Sequence, residues 1–501
     1  MPPYPAAVLR RLAEPAHAGT LTAADAVGEA GAPGCGDVVR IQLALAGDRI
    51  AAARFQALGC PAATAAAEEL CDRVQGGRLD DALRLSAATL DRGLGGLGAA
   101  RHHGPVLAVD ALARALEGWY SARLGAAGPV RRPERVAVAM SGGVDSAVAA
   151  MLLRDAGWDV VGVTMRLWHD PAAAAAERSC CSPETVQAAR ATAHALGLPH
   201  LTLDAVAPFR AGVVEEFIAG YAAGRTPNPC VTCNGSVRFR LLDQAAALLG
   251  AGRLATGHYA QRVAGPGGRA ALAPARDAGK DQSYMLALLE PAMLERLVFP
   301  LGTLTKDEVR ARARAAALPC ADAVESQEVC FVGEGGYVPF LERNAGLAAR
   351  RGEVVDRDGR VLGTHEGYWR YTVGQRRGLG VAGPEPLYVL ATDAAANRVV
   401  VGPRSALAAW SLVLEPARAH AAIDPERPFE VRVRYRGRPL AGRAAVPGEG
   451  DALLVALAEP ADAVAPGQTA VLHQDGRLVA AGTIAQSRPA TRGDMWTGPT
   501  S

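Results

Sequence analysis

The stretch RVAVAMSGGVDSAVAAMLL (135–153) constrains the fold more than any other in the chain. An apolar run of strand length meets a Ser-Gly-Gly turn and leads straight into an alanine-rich helix. Gly142 and Gly143 permit a tight turn that points successive backbone N–H groups inward. The helix beginning near Ser146 adds the positive end of its dipole, and the Ser141 and Ser146 hydroxyls can donate. Such a turn is an anion nest. It is not a Walker loop, because the G-K-[ST] lysine is missing. The rhythm then continues: DVVGVTM (159–165), HLTLD (200–204) and RLATG (253–257) are short apolar runs separated by helical segments. That alternation predicts an α/β domain over 135–344, a parallel sheet with helices on both faces.

At 501 residues the chain is long enough for two to four domains. Residues 1–125 read as a small α+β unit. It has a hairpin, DVVRIQLAL (37–45) and RIAAARFQAL (49–58), then a helix through AATAAAEELCDRV. A closing helix carries Val109, Leu112, Leu116 and Trp119 at three- and four-residue steps. Residues 126–134, rich in Pro, Gly and Arg, read as a linker. A small central domain is expected over 345–410, where helical signals are few and turn glycines many. FEVRVRYRGRPL (429–440) alternates strictly, and Asp475-Gly476 is a hairpin signal, so 411–485 reads as an antiparallel β-barrel. Residues 486–501 read as a disordered tail.

Net charge is only +2, so nucleic-acid binding has to come from local patches. Two present themselves: the arginines of 432–438, and Tyr368, Trp369 and Tyr371 beside Arg370, Arg376 and Arg377. Aromatic rings among guanidinium groups can stack bases and bind phosphates. No apolar run has membrane length and no secretory h-region opens the chain, so no membrane partner and a cytoplasmic location are expected. Nine cysteines at irregular spacing argue against a disulfide framework and for reduced, chemically used thiols. Lysine is scarce: 53 residues are Lys or Arg, and only Lys280 and Lys306 are lysine. A lysine that persists in so arginine-biased a chain marks a place where a planar fork would not serve.

TPNPCVTCNGSVRF (226–239) places Cys230 and Cys233 in a C-x-x-C pair. By spacing alone the pair suits a redox couple, half of a zinc site completed by Cys180-Cys181 or His258, or a catalytic thiol. Cys71 and Cys320 read as helix or core residues.

AMSGGVDS (139–146), TPNPCVTCNGSVRF, ATGHY (255–259), KDQSY (280–284), SQEVCFVG (326–333), HEGYWRYTVGQRRGLGV (365–381) and APGQTAV (465–471) together resemble the tRNA-specific 2-thiouridylases (MnmA/TrmU family) of the PP-loop ATP pyrophosphatase superfamily. The resemblance covers 134–485. It implies an ATP- and Mg²⁺-dependent tRNA-uridine 2-sulfurtransferase. Such an enzyme adenylates O2 of the wobble uridine, then replaces that oxygen with sulfur from a cysteine persulfide. It further implies ATP contacts at Ala139, Met140, Ser141, Gly142, Gly143, Val144, Asp145, Ser146, Met165 and Gly257, with Cys233 as nucleophile and Cys330 as persulfide carrier. Implied tRNA contacts are Asn228, Pro229, Cys230, His258, Lys280, Asp281, Gln282, Arg434, Tyr435 and Gln468. Many relatives carry Asp where this chain has Cys230, and usually Asp before the serine where it has Glu325. Cys230, Cys233 and Cys330 together could hold three irons of a [4Fe-4S] cluster with one site open.

GAPGCGDVVRIQL (31–43), ARFQALGCPAATA (53–65) and HHGPVLAVDAL (102–112) resemble the iron–sulfur scaffold domain of the IscU/NifU type. This implies a zinc or [2Fe-2S] site at Cys35, Asp37, Cys60 and His103. It also implies a cysteine desulfurase or other sulfur donor as partner. The family's third cysteine follows the histidine directly, and here that position is Gly104. Two rival readings stay open: a PP-loop ligase or amidotransferase acting on a small molecule, and a non-enzymatic iron–sulfur or sulfur carrier that binds tRNA.

Overall fold

The computed structural model describes residues 4–31, 36–98, 101–168, 183–323, 329–333 and 335–488. Cys35, Cys180, Cys181, Glu325, Ser326 and the tail beyond Arg488 lie outside the described residues.

The N-terminal domain is a three-stranded antiparallel sheet, β1 (Ala26–Gly31), β2 (Val38–Ala46) and β3 (Arg49–Leu58), in that order. Helices α1 (Pro61–Val74) and α2 (His103–Ser121) cover one face. Small residues set the spacing. A Cβ on Gly28 would lie 2.2 Å from the backbone of Ala111 and Ala115, so β1 and α2 touch backbone to backbone.

The second domain is a five-stranded, all-parallel sheet. Its strands are β4 (Arg132–Ala139), β5 (Asp159–Arg166), β6 (His200–Asp204), β7 (Ala251–Thr256) and β8 (Leu297–Val298), ordered β8-β7-β4-β5-β6. β4 already pairs at Arg132, inside the stretch read as a linker. Its residues alternate between two cores. Val136 and Val138 pack with α3 (Val144–Asp155) and α4 (Pro183–Ala195), and Ala137 packs on the opposite side with α5 (Phe239–Leu248). The chain runs outward from β4 to β6, then returns to place β7 on the other flank. The crevice at the carboxyl ends of β4 and β7 is therefore a topological switch point, where α/β sheets bind ligands.

β6 is an edge strand, and the N-terminal domain covers it. Asp204 N–H donates to Ser121 Oγ at 3.0 Å, and Glu117, one helical turn earlier, accepts from the backbone of Thr202. Arg190 of α4 binds both Asp110, at 3.1 Å, and Glu117. At the opposite end of the sheet the fully buried Arg135 pairs with Asp80 and, at 3.7 Å, with Asp159, which also meets Arg84 at 3.2 Å. Edge N–H groups that would otherwise recruit a foreign strand are thus capped from within the chain.

The central domain is a four-stranded sheet of β9 (Gly352–Val355), β10 (Val361–His365), β11 (Tyr388–Asp393) and β12 (Arg398–Gly402), ordered β10-β9-β12-β11. The C-terminal domain is a closed antiparallel barrel of β13 (Ala409–Ala419), β14 (Phe429–Arg432), β15 (Leu440–Pro447), β16 (Leu453–Ala461), β17 (Thr469–Gln474) and β18 (Arg477–Arg488). The β17–β18 turn has Asp475 and Gly476 both left-handed, at φ 51° and 71°, as the sequence signal requires.

Two expectations need correcting. The alternation of 429–436 is not one strand: β14 ends at Arg432, and Arg436 is left-handed, at φ 56°. Arg438 pairs with Glu459 at 2.8 Å while staying exposed, Arg432 lies 3.8 Å from Asp281, and Arg434 and Arg436 are exposed as well. The aromatic group around 368–371 is mostly core. Tyr368 and Trp369 are buried, and Arg370 is tied to Glu342 and, at 3.2 Å, to Glu366. Burying two large rings stabilises more than presenting them to solvent for stacking. Arg376 and Arg377 do remain exposed.

Candidate active site

The turn after β4 is built as the sequence suggests. Gly142 has φ +76°, and a Cβ there would lie 2.5 Å from the Thr185 carbonyl oxygen, so only glycine fits. Gly143 caps α3, which begins at Val144. Ser146 turns inward: its Oγ accepts from Ser141 N–H at 3.1 Å and donates to the Gly143 carbonyl at 3.0 Å. It therefore shapes the loop, while Ser141 stays exposed. Thr164 Oγ1 donates to the Met140 carbonyl at 2.8 Å and is itself held by His200 Nε2 at 2.9 Å. Burial pushes the His200 imidazole down to about 3, so it holds this position neutral. Met165 ends β5, half-buried, and Gly257 follows β7 directly. A Cβ on Gly257 would sit 2.6 Å from Ser146 N, so the amino end of α3 rests on this glycine.

Asp145 projects from the first turn of α3 with two partners that sequence reasoning did not assign. Lys306 Nζ lies 2.8 Å from each carboxylate oxygen, and Tyr259 Oη donates to Oδ1 at 2.8 Å. Lys306 opens α6 (Lys306–Ala315), where Thr305 and Glu308 form a reciprocal cap. The scarcity of lysine was the signal that could have found it.

The thiols converge. Asn228 caps a short helical turn, Pro229–Thr232, by accepting from Val231 N–H at 3.3 Å, with Pro229 at the first helical position. The chain continues through a wider π-turn, Cys233–Arg238, into α5. Cys230, Cys233 and Cys330 then line one pocket of about 50 Å³ with Pro229, Asn234 and Arg238, closed by Phe209 and Phe331. Cys330 reaches it from about a hundred residues downstream. His258 stands two residues beyond the end of β7, and the charge that acts on its ring is that of the pocket residue Arg238. The histidine adjoins Gly257, its ring is 5.9 Å from that of Phe239, and its Nδ1 is 2.8 Å from Thr256 Oγ1. Burial, reinforced by Arg238, depresses its imidazole to about 3, so it too is neutral.

The remaining residues expected at tRNA divide into two groups. Asp281 is buried, and its carboxylate accepts from Ala275 N–H, Ser283 N–H and Ser283 Oγ at 2.9–3.1 Å. Gln282 accepts from Tyr259 N–H at 3.0 Å. Asp281 holds its own loop and Gln282 ties it to the turn after β7, with Lys280 half-buried beside them. Gln468 donates to the Thr226 carbonyl at 2.8 Å, and a Cβ on Gly467 would lie 3.0 Å from the Thr226 backbone, so the barrel braces the loop that carries Cys230 and Cys233. Tyr435 lies 5.9 Å from Tyr284, and Arg434 is exposed.

A second centre lies in the N-terminal domain. Ligand atoms of Asp37, Cys60 and His103 fall within 4.8 Å of one another. His103 Nε2 is 3.0 Å from Asp37 Oδ2 and 3.2 Å from Cys60 Sγ. One ring nitrogen faces both partners, which is the geometry of ligands around a point and not of a proton relay. The Cys60 hydrogen bond, opposed by burial and aided by His103, holds the Asp37 carboxyl below its usual range. Burial and Asp37 push the Cys60 thiol up. Gly104 is closed: a Cβ there would meet the Ala62 carbonyl carbon and oxygen at 2.7 Å. Cys71 and Cys320 are buried in cores, and burial raises both thiols, Cys71 to about 12.

Comparison with known proteins bears on both centres. Residues 134–334 match the tRNA methyl transferase HUP domain family, 339–403 its PRC-barrel domain and 411–484 the aminomethyltransferase beta-barrel domain. Residues 3–126 match the NifU-like N terminal domain. A bifunctional protein NifU/MnmA from Rubrobacter xylanophilus is 42% identical over 499 residues, covering 97% of this chain and 99% of that one. The chain belongs to the bifunctional NifU/MnmA family. Its last three domains are also similar to tRNA-specific 2-thiouridylase MnmA of Sorangium cellulosum, 46% identical over 369 residues, or 72% of this chain and 95% of that one. Among the described residues, no helix is long and apolar enough to cross a membrane.

Proposed function

We propose that the chain is an ATP-dependent tRNA 2-thiouridylase in which Cys330 carries the sulfur and Cys233 completes its release. The observation that supports this reading is the one pocket that Cys233 and Cys330 share with Arg238, together with a phosphate loop that rests on Gly257 beside His258. A guanidinium at the pocket wall favours the thiolate, the form that attacks.

Uridine O2 attacks the α-phosphorus of ATP held over residues 141–146, and pyrophosphate departs with the electron pair of the broken bond. The loop amides and the dipole of α3 bind the phosphates, and Asp145 would hold the Mg²⁺ that accompanies them once its carboxylate is released from Lys306. The terminal sulfur of a Cys330 persulfide then attacks C2, and AMP leaves with the oxygen. Cys233 thiolate attacks the Cys330 sulfur, which frees 2-thiouridine and leaves a Cys233–Cys330 disulfide. An external dithiol restores both thiols. Exposed Arg376, Arg377, Arg434 and Arg436 would serve the tRNA backbone. The N-terminal centre, with three converging ligand atoms, suits a single zinc ion.

A cluster-based transfer has one observation in its favour, that Cys230 joins the same pocket as a third thiol. The same three thiols would serve as cluster ligands, and no step is routed through a cluster here. The test is anaerobic incubation with tRNA, Mg-ATP and a sulfur source. The expected products are 2-thiouridine, AMP and pyrophosphate. ATP consumption without thiolated tRNA would sink the proposal. Activity of an iron-free Cys230→Ala protein separates the persulfide from the cluster.

A further inference from the structure

The turn that carries Cys230 and Cys233 is held at both ends by two adjacent residues of a distant segment. Tyr284 and Met285 belong to one 3₁₀ turn, Ser283–Leu286. Before the thiols, Asn228 caps the turn with its Oδ1 and presents its amide nitrogen to the Tyr284 hydroxyl. After them, Asn234 Nδ2 donates to the Met285 carbonyl at 3.0 Å. A Cβ on Gly235 would lie 2.7 Å from Leu288 Cβ, so the two segments meet closely there. The holding segment is in turn fastened to the barrel. Tyr284 Oη donates to the Thr469 carbonyl of β17 at 2.8 Å, Arg418 to the Leu288 carbonyl at 2.6 Å, and His420 Nε2 to the Ala287 carbonyl at 2.8 Å.

Tyr284 is 2% exposed, and burial pushes its phenol up, so the hydroxyl keeps its proton. With that proton committed to Thr469, the oxygen is left to accept. This fixes the Asn228 amide, nitrogen towards Tyr284 and oxygen towards Val231 N–H. A phenylalanine would fill the same core volume; the hydroxyl adds direction and not packing. We infer that Tyr284 is a positioning residue for Cys233, its hydroxyl passing the placement of the barrel through Asn228 to the turn that carries the thiol. The inference rests on the role proposed above for Cys233, and the placement itself is measurable without that chemistry. Cys233 is 5% exposed, so a reagent meets its thiol at a rate set by how readily the turn opens.

The test treats the full-length protein, without tRNA, with iodoacetamide and follows each cysteine by peptide mapping. Wild type, Tyr284→Phe, Asn228→Ala and the double variant are compared. Cys71 and Cys320, buried in two different cores, report any general loosening. Tyr284→Phe is expected to speed alkylation of Cys233 about five- to tenfold, as for loss of one buried hydrogen bond, with Cys71 and Cys320 within about twofold. In the Asn228→Ala background the same substitution is expected to add less than about twofold, because the connection is already cut. In the thiolation assay Tyr284→Phe is expected to lower kcat about fivefold and leave KM for Mg-ATP within about twofold. A Cys233 rate within about twofold of wild type, an equal rise at Cys71 and Cys320, or an undiminished effect without Asn228 would overturn the inference. Absence of thiolated tRNA from wild type would instead count against the role of Cys233 proposed above, and the alkylation rates would still decide the placement.

Discussion

The chain carries two cysteine centres, and they are built on opposite electrostatic plans. In the PP-loop domain, Cys233 and Cys330 share a pocket with Arg238, and the phosphate loop lies just beyond His258 and Gly257. In the N-terminal domain, Cys60 faces a buried carboxylate, Asp37, which raises its thiol, and a histidine nitrogen that faces both of them. The first arrangement brings two thiols and a guanidinium to one pocket. The second makes a thiolate costly until a cation arrives, as expected of a ligand set. Family membership alone would have treated both as sulfur-handling cysteines; their neighbours assign them different work.

The largest effect should come from exchanging the two thiols' fates. Cys330→Ser or Cys233→Ser is expected to lower tRNA thiolation on the order of a thousandfold or more, as for loss of a covalent catalyst. Cys60→Ser, assayed with a supplied persulfide donor, is expected to stay within about twofold. Equal losses from Cys60→Ser and Cys330→Ser would erase the distinction.

Gly104→Cys restores the scaffold family's third cysteine in name. With the Ala62 backbone 2.7 Å from the new Cβ, it is expected to destabilise the domain by about 1–3 kcal/mol and to gain no iron. A melt compared with iron and sulfide analysis decides this. A stable variant that assembles a cluster would mean that α1 yields.

Metal binding at the N-terminal centre should carry its own pH signature. Because the Cys60 thiol is held protonated and must lose that proton to a metal, zinc affinity is expected to rise about tenfold per pH unit between pH 6 and 8. A zinc-selective chelator, with Mg²⁺ kept in excess, should lower the melting temperature without touching thiolation. A flat profile would show that Cys60 is not a ligand.

A smaller, graded effect concerns the phosphate loop's support. His200 and His258 stay neutral in the folded protein down to about pH 3, while an unfolded histidine binds a proton below its ordinary 6.5. The unfolded chain then holds more protons, so stability falls as pH drops from 6.5 towards 3. His200→Gln, which can still donate to Thr164, should flatten that acid limb in a pH series of melts.

Much of this was legible in the sequence because the signals were local. The Gly142 turn, the four apolar runs of the parallel sheet and the Asp475-Gly476 hairpin each depend on residues adjacent in the chain. What stayed hidden depends on distant partners. The one-sided row of arginines at 432–438 looked like a nucleic-acid face until Glu459 and Asp281 came to meet it. Tyr368 and Trp369 looked like a stacking surface and proved to be core. Asp281 and Gln282 lie in a motif expected to touch tRNA, and the sequence did not show that Asp281 also holds its own loop and Gln282 the backbone of Tyr259. Lys306 was visible only as a compositional oddity, because the residue it serves is 161 positions away.

The central claim is that one pocket passes a single sulfur from Cys330 to an activated uridine and ends with Cys233 bonded to Cys330. A single turnover tests it directly: enzyme loaded with one labelled persulfide on Cys330, tRNA and Mg-ATP, and no reductant. The expected result is one labelled 2-thiouridine per loaded enzyme and a Cys233–Cys330 disulfide in the peptide map. Labelled tRNA with both thiols free, or AMP and pyrophosphate with the label still on Cys330, would contradict it.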